Sequence, residues 1–217
     1  MELTDPERTL AVAYAPAQAR PALAALFALD ERFGQIVATT TEPMIGLMRL
    51  AWWREALAQL DQDPAPAEPL LQLLGMHVIP RGVTGATLSA IEDGWAALID
   101  GEDAAAVIVR HGRERGRRLF EAAAAILATE DDRIADAGEV WALTDLAFHH
   151  SQARLREAAL SRARDVARTV ARHRWPVASR PLAALYQLAA GDALNEARAQ
   201  GSPQRLLRML ALRITGR

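Results

Sequence analysis

No stretch of the 217 residues alternates polar and apolar side chains with the period of two that a half-buried strand requires. Apolar residues recur instead at helical spacing, between breaks marked by proline, glycine and short polar runs. A chain patterned in this way has only helix faces to bury, so an all-α fold with short connections is predicted. At 51% hydrophobic residues it carries enough apolar surface for one well-packed domain, and no linker-like tract divides it. Residues 1–217 are therefore expected to form a single helical domain.

The helix signals place the elements in order. Asp5-Pro6-Glu7 opens a short helix ending near Tyr14, by the rule that puts a capping side chain before a first-turn proline. Pro16 and Pro21 precede a helix that runs to about Ala38. Thr41 is predicted to cap the next, with Glu42 and Pro43 in its first turn and Met44 to Leu60 as its body. Met48, Trp52 and Glu55 or Ala56 lie on one side of that helix at 3.6 spacing, which predicts an aromatic-rich packing face. A proline-rich loop over residues 61–69, a brief helix from Leu70 to Met76 and a turn at Pro80 to Gly82 follow. Thr84 is expected to cap a helix from Gly85 to Ile99. Gly101-Glu102-Asp103 breaks the chain, and a further helix from Ala104 to Leu127 is predicted to be irregular at His111-Gly112. After a polar connection, Asp136 is expected to cap a long helical stretch. It continues through Arg154 to Arg174, with a break near Ser161, until Trp175-Pro176. Two short helices, Pro181 to Ala190 and Pro203 to Leu212, complete the reading.

Composition narrows the function classes. Cysteine is absent, which excludes disulfides and thiol catalysis. Met1-Glu2-Leu3-Thr4-Asp5 is acidic where a secretory signal would be basic. The longest apolar runs, Ala22 to Leu29 and Ala122 to Ala128, fall far short of the roughly 18 residues needed to span a bilayer. A cytoplasmic protein is expected, with peripheral contact at the inner membrane as a further expectation. Residues 1–109 hold 6 arginines against 15 acidic residues, whereas residues 110–217 hold 19 against 12. No lysine occurs. Arg164, Arg168 and Arg172 form an i, i+4, i+8 stripe, and Arg110, Arg113, Arg115, Arg117 and Arg118 crowd another helix. Such groups form either a solvated face or a contact with an anionic membrane surface or acidic partner. A pI near 6.2 and the lack of interleaved aromatics argue against nucleic acid. No Gly-rich phosphate loop, nucleophile elbow or Cys–His set is present. His149-His150 has no third ligand at i+3 or i+4, too few for zinc.

The segment Ala25-Leu26-Phe27-Ala28-Leu29, with the nine residues after it, resembles the first signature of the squalene/phytoene synthase family, roughly A-L-Y-A-F-x-R-x-x-D-D-x-V-D. On that frame the three aspartates fall on Gly34, Gln35 and Ala38. Ile45-Gly46-Leu47-Met48-Arg49-Leu50-Ala51-Trp52-Trp53-Arg54-Glu55-Ala56-Leu57 resembles the G-L-x-R-L-x-W-W-R stretch of one branch, to which a mitochondrial respiratory complex I assembly factor also belongs. The second family signature, roughly A-G-x-A-x-Q-L-T-N-I-L-R-D-x-x-E-D, falls on Ala137 to Ala153. There Ala137, Gly138, Leu143 and Thr144 match and Asp145 takes the Asn position. His149, Gln152 and Ala153 stand where the acidic triplet belongs.

The resemblance implies an isoprenoid-synthase-type bundle of many helices around a central cavity. In the family the two acidic clusters hold Mg²⁺, which clamps a diphosphate leaving group. Mg²⁺ is a hard cation that takes oxygen ligands at about 2.0–2.1 Å. Gly, Gln, Ala and His offer it no anionic oxygen, so no metal or other cofactor is expected. The reading is a non-catalytic relative with a protein partner, an assembly or accessory factor of the complex I type. Two alternatives keep the cavity. One is an active prenyl transferase using Mg²⁺ held by Asp30, Glu31 or Asp145; the other is an isoprenoid-binding carrier. Arg49, Trp52, Trp53, Arg54 and Asp145 are the candidate ligand- or partner-binding residues. Arg49 and Arg54 are either remnants of a diphosphate wall or members of structural ion pairs. Trp52 and Trp53 point about 100° apart, so one is expected in the core and the other at a helix contact or partner surface.

Overall fold

The computed structural model describes residues 3–101, 103–195 and 199–217. Met1, Glu2 and Glu102, on which the N-terminal and loop readings partly rest, lie outside the described residues. The fold is all-α. Its helices are α1 (Pro6–Tyr14), α2 (Arg20–Ala38), α3 (Pro43–Gln59), α4 (Pro69–His77), α5 (Gly85–Asp100) and α6 (Ala104–Arg110), then α7 (Arg118–Ile126), α8 (Ile134–His149), α9 (Ala153–Thr169), α10 (Arg180–Asn195) and α11 (Pro203–Thr215). Between α6 and α7 the helix does not stop but widens into π-helical turns over His111–Arg117, where the sequence predicts irregularity. Among the described residues no helix is long and apolar enough to cross a membrane.

Two helices organise the bundle. α2 buries Leu23, Leu26, Phe27, Leu29, Phe33 and Ile36, and α8 is buried nearly all round from Ala137 to Ala147. A helix with apolar residues on every side must lie inside other helices. Each fully buried Leu or Phe contributes about 1.5–3 kcal/mol of apolar transfer free energy. α2 packs against α1, α4, α5 and α7, while α8 packs against the π-helical turns, α9 and α10. The approach of the π-helical turns to α8 depends on two glycines. A Cβ on Gly138 would lie 2.2 Å from the carbonyl oxygen of Gly116, and one on Gly116 would lie 2.5 Å from that of Gly138. Gly138, one of the family-like positions, is thus required by packing.

Several predicted boundaries hold. Asp5 caps α1 by accepting from the Glu7 and Arg8 amides, and Thr84 caps α5 by accepting from Thr87. Others are corrected. Thr41 does not cap α3; Glu42 occupies that position without a side-chain bond, and the neighbouring Thr39 and Thr40 hydroxyls close α2 by donating to Gln35 and Ile36 carbonyls. The α3 face carrying Met48, Trp52 and Glu55 is the solvent face, because Gly46, Leu50, Trp53, Ala56 and Leu57 supply the packing surface. α8 starts at Ile134, ahead of Asp136, which instead pairs with Arg117 at 2.7 Å. It ends at His149 because His150 is extended. Ser161 causes no break, and α9 stops at Thr169 rather than Arg174. α10 and α11 are both longer than predicted.

Candidate functional site

The early end of α8 changes the geometry of the second family-like motif. His149 is the last residue of that helix, Gln152 precedes α9 and Ala153 begins it. The three positions therefore do not share one helical face, as i, i+3, i+4 spacing on an unbroken helix would require. A cavity of about 670 Å³ lies between α1, α2, α5, the π-helical turns and α8. Gly34, Ala38 and His149 line it, whereas Gln35, Gln152 and Ala153 are exposed elsewhere. At Gly34 the space a carboxylate would enter is already filled. A Cβ there would lie 2.9 Å from Cη2 of Trp95, a ring fixed by its Nε1 donating to Asp30 Oδ1 at 2.9 Å.

The chemistry of the cavity floor centres on Arg115, which is 1% exposed. Its Nε donates to Asp30 Oδ1 at 2.8 Å and its Nη2 to Asp30 Oδ2 at 2.9 Å, a bidentate pair. The same Nη2 donates to Asp145 Oδ2 at 2.7 Å. One guanidinium thus ties α2 to α8, the two helices that carry the family-like motifs. Arg8 of α1 adds a second cation, with Nη1 3.0 Å from Asp30 Oδ2. Trp95 and Trp141 flank the Arg115 guanidinium, with ring centroids 4.1 and 4.8 Å away. Burial pushes the Asp30 carboxyl up, but the guanidinium groups of Arg115 and Arg8 outweigh it and hold the group below its usual range.

Behind Arg115 lies His111, fully buried. Its Nδ1 is 2.6 Å from the Gly94 carbonyl oxygen and its Nε2 is 3.1 Å from Arg115 Nη1. A carbonyl accepts only and a guanidinium donates only, so Nδ1 carries the proton and Nε2 accepts. The ring is neutral: burial, and then the Arg115 charge, push its pKa down to about 3.

Asp30 and Asp145 do not offer Mg²⁺ a ready site, because their inward oxygens already accept from Arg115. Among the described residues there is no cluster of three or more His, Cys, Asp or Glu side chains able to hold a metal ion. The residues present therefore do not fit the metal that the family resemblance implies. Glu31 lines the cavity and accepts from the Thr4 amide at 3.0 Å, which fixes the chain entering α1.

The structure brings Asp145 into this cavity but leaves the other sequence candidates on α3, outside its lining. Trp53 is core, 5% exposed, edge-on to Phe33 at 6.2 Å; Trp52 is 49% exposed. Arg54 lies 3.5 Å from Glu92 of α5, an ion pair between helices, and Arg49 faces solvent. Sequence reasoning missed Arg8, Trp95, His111 and Trp141, and placed Arg115 in an undifferentiated basic run. The one signal for Arg115 was its position four residues after the irregularity at His111.

Among curated proteins and solved structures, none matches the chain. The family model described as squalene/phytoene synthase matches residues 2–96. That span carries Arg8, Asp30, Gly34 and Trp95 of the cavity, while Arg115 and Asp145 lie beyond it. Residues 2–96 are thus similar to the squalene/phytoene synthase family.

Proposed function

We propose that this protein is a non-catalytic relative of the squalene/phytoene synthases, acting as an assembly or accessory factor peripherally at a membrane, on the pattern of the complex I assembly factor branch. The observation that carries the non-catalytic part is the Arg115 guanidinium, held between Asp30 and Asp145. A cation supplied by the protein engages two of the carboxylates, Asp30 and Asp145, that the active-transferase alternative would need for Mg²⁺. The rest of the cavity argues the same way. Asp5, Asp30, Glu31 and Asp145 line it against Arg8 and Arg115, an acidic balance that opposes a diphosphate. The accessory-factor part rests on the Ile45 to Leu57 resemblance, and Trp52, half exposed on α3, supplies an aromatic suited to a protein contact.

A second reading is favoured by the cavity itself. Its volume of about 670 Å³ falls in the range of small-molecule sites, about 300–1,000 Å³. Leu98, Leu146 and Val37 give it apolar wall, which suits an isoprenoid or quinone tail without a charged head. One experiment separates the readings: equilibrium binding of farnesyl and geranylgeranyl diphosphate, with and without Mg²⁺, with diphosphate release followed in the same samples. No release is expected in either condition. Magnesium-dependent binding with release would overturn the non-catalytic reading, and metal-independent binding of an uncharged isoprenoid would favour the carrier.

A further inference from the structure

α11 carries apolar residues on two opposite sides. Met209 and Leu212 are buried against the bundle, yet Leu207 is 64% exposed, Leu210 41% and Ile214 66%. At 100° per residue, Leu207, Leu210, Ala211 and Ile214 occupy an arc of about 100° facing away from Met209 and Leu212. Arg208 falls on one margin of that arc and Arg213 on the other. A surface helix ordinarily turns polar residues outward; this one turns leucine and isoleucine outward between two arginines.

The surroundings of α11 have the same character. A groove of about 400 Å³ runs beside it, floored by Val170, Trp175 and Tyr186 and rimmed by Leu194, Arg172 and Arg217. The groove wall is fixed to the end of α11, since the Trp175 amide donates to the Gly216 carbonyl at 2.9 Å. Arg208 joins the two regions, with Nη1 3.8 Å from where a Cβ on Gly191, a groove residue, would sit. Residues 166–217 hold nine arginines and two acidic residues. Of the acidic pair, Asp192 is buried and accepts from Arg205. Among the described residues of this segment, Arg168, Arg172, Arg174, Arg208, Arg213 and Arg217 are exposed and no carboxylate side chain is. Arg168 is the one of these with an acidic neighbour just outside the segment, Asp165 at 2.8 Å.

We infer that α11 and the adjoining groove form the surface that meets a bilayer carrying anionic phospholipid. The outward stripe enters the boundary between headgroups and acyl chains, while the arginines at its margins and on the groove rim meet lipid phosphates. Arginine suits this placement, because its stem covers apolar surface and its planar fork pairs with phosphate. Positive charge with no exposed carboxylate side chain among the described residues of the segment selects an anionic lipid surface over a neutral one.

This inference rests on the peripheral-membrane part of the proposed function. Its test is co-sedimentation of the full chain with vesicles of phosphatidylcholine alone or mixed with phosphatidylglycerol. Partitioning to the mixed vesicles is expected to exceed that to neutral ones by at least about tenfold. Leu207→Gln combined with Ile214→Gln changes two outward side chains and no charge. It should lower that partitioning about tenfold while thermal unfolding stays where it was. Arg172→Gln with Arg217→Gln should remove the preference for anionic vesicles. Undiminished binding by the Leu207/Ile214 variant would sink this surface and leave the membrane reading standing. No binding to either vesicle would sink both, leaving the non-catalytic reading to diphosphate release. A dimer in solution that dissociates in the Leu207/Ile214 variant, without vesicle binding, would assign the surface to a second copy and overturn the inference.

Discussion

Two buried arginines in this protein hold two carboxylates each, and they sit in opposite surroundings. Arg115 bridges Asp30 of α2 and Asp145 of α8 at the floor of the 670 Å³ cavity. Arg205 of α11 donates to Glu7 of α1 at 2.5 and 2.9 Å and also to Asp192 of α10. The space beside the second triad is about 10 Å³, at the limit for a single water. The same ionic chemistry therefore closes a packed seam in one place and borders an open chamber in the other. Ionic satisfaction alone does not mark a site; the marking comes from the empty volume beside it and from which helices the arginine joins.

The comparison is broken most directly at Arg115. Arg115→Ala leaves Asp30 fully buried with Arg8 and Trp95 as its remaining partners and removes the tie between α2 and α8. Removing one partner of a buried ionic group strands charge, and the expected cost is about 3–5 kcal/mol of stability. Denaturant unfolding of the variant measures it. A loss below about 1 kcal/mol would mean that water entering from the cavity solvates Asp30, and that the triad does not hold the two helices.

Arg205→Ala sharpens the contrast with a smaller expected loss, about 2–4 kcal/mol. Glu7 keeps another partner in the Gly201 amide, which donates to its Oε1 at 3.1 Å. The seam joins α1 to α10 and α11, so the loss should appear as earlier opening of these helices by hydrogen exchange, with the α2–α5 region still protected. A loss larger than that of Arg115→Ala would reverse the ranking of the two triads.

What the sequence disclosed follows from where each signal resides. Helix number and most boundaries were legible because caps, prolines and 3.6 periodicity are local, as at Asp5, Thr84 and the π-helical turns beginning at His111. The break at His150 was not, because the chain before it and after it is equally helix-prone and no proline or glycine interrupts it. Of the site, Asp145 and the missing carboxylates at Gly34 and Ala38 could be read by laying the motif on the chain. Arg115 could not, since its neighbours Arg113, Arg117 and Arg118 have the same composition and the difference is which way the widened helix turns them. Arg115 is buried, whereas Arg117 pairs with Asp136 and Glu139 and Arg118 with Glu114 near the surface. The face of α3 was misread for a related reason: Met48 and Trp52 have the chemistry of a core and the exposure of a contact surface.

The smallest effect tests the protonation assignment that distinguishes the cavity triad from the seam. His111 has an ordinary pKa of 6.5 when unfolded and about 3 when folded, depressed by burial and by Arg115. A depressed folded pKa means that the unfolded chain takes up the proton first as pH falls. Stability from the neutral ring is complete above pH 6.5 and declines below it, at about 1.4 kcal/mol per pH unit until the folded pKa is reached. Between pH 6.5 and 4.5 the loss should be roughly 2–3 kcal/mol. Asp30, held below its usual value, loses its contribution only below about pH 4, outside that window. Glu92, pushed up by burial, acts with the opposite sign, since the native state takes up its proton first. The difference between wild type and His111→Asn therefore isolates the histidine, with the Asn amide in place to donate to the Gly94 carbonyl. Parallel pH profiles for the two proteins would mean that the His111 ring accepts a proton in the folded state, and that Arg115 does not donate to its Nε2.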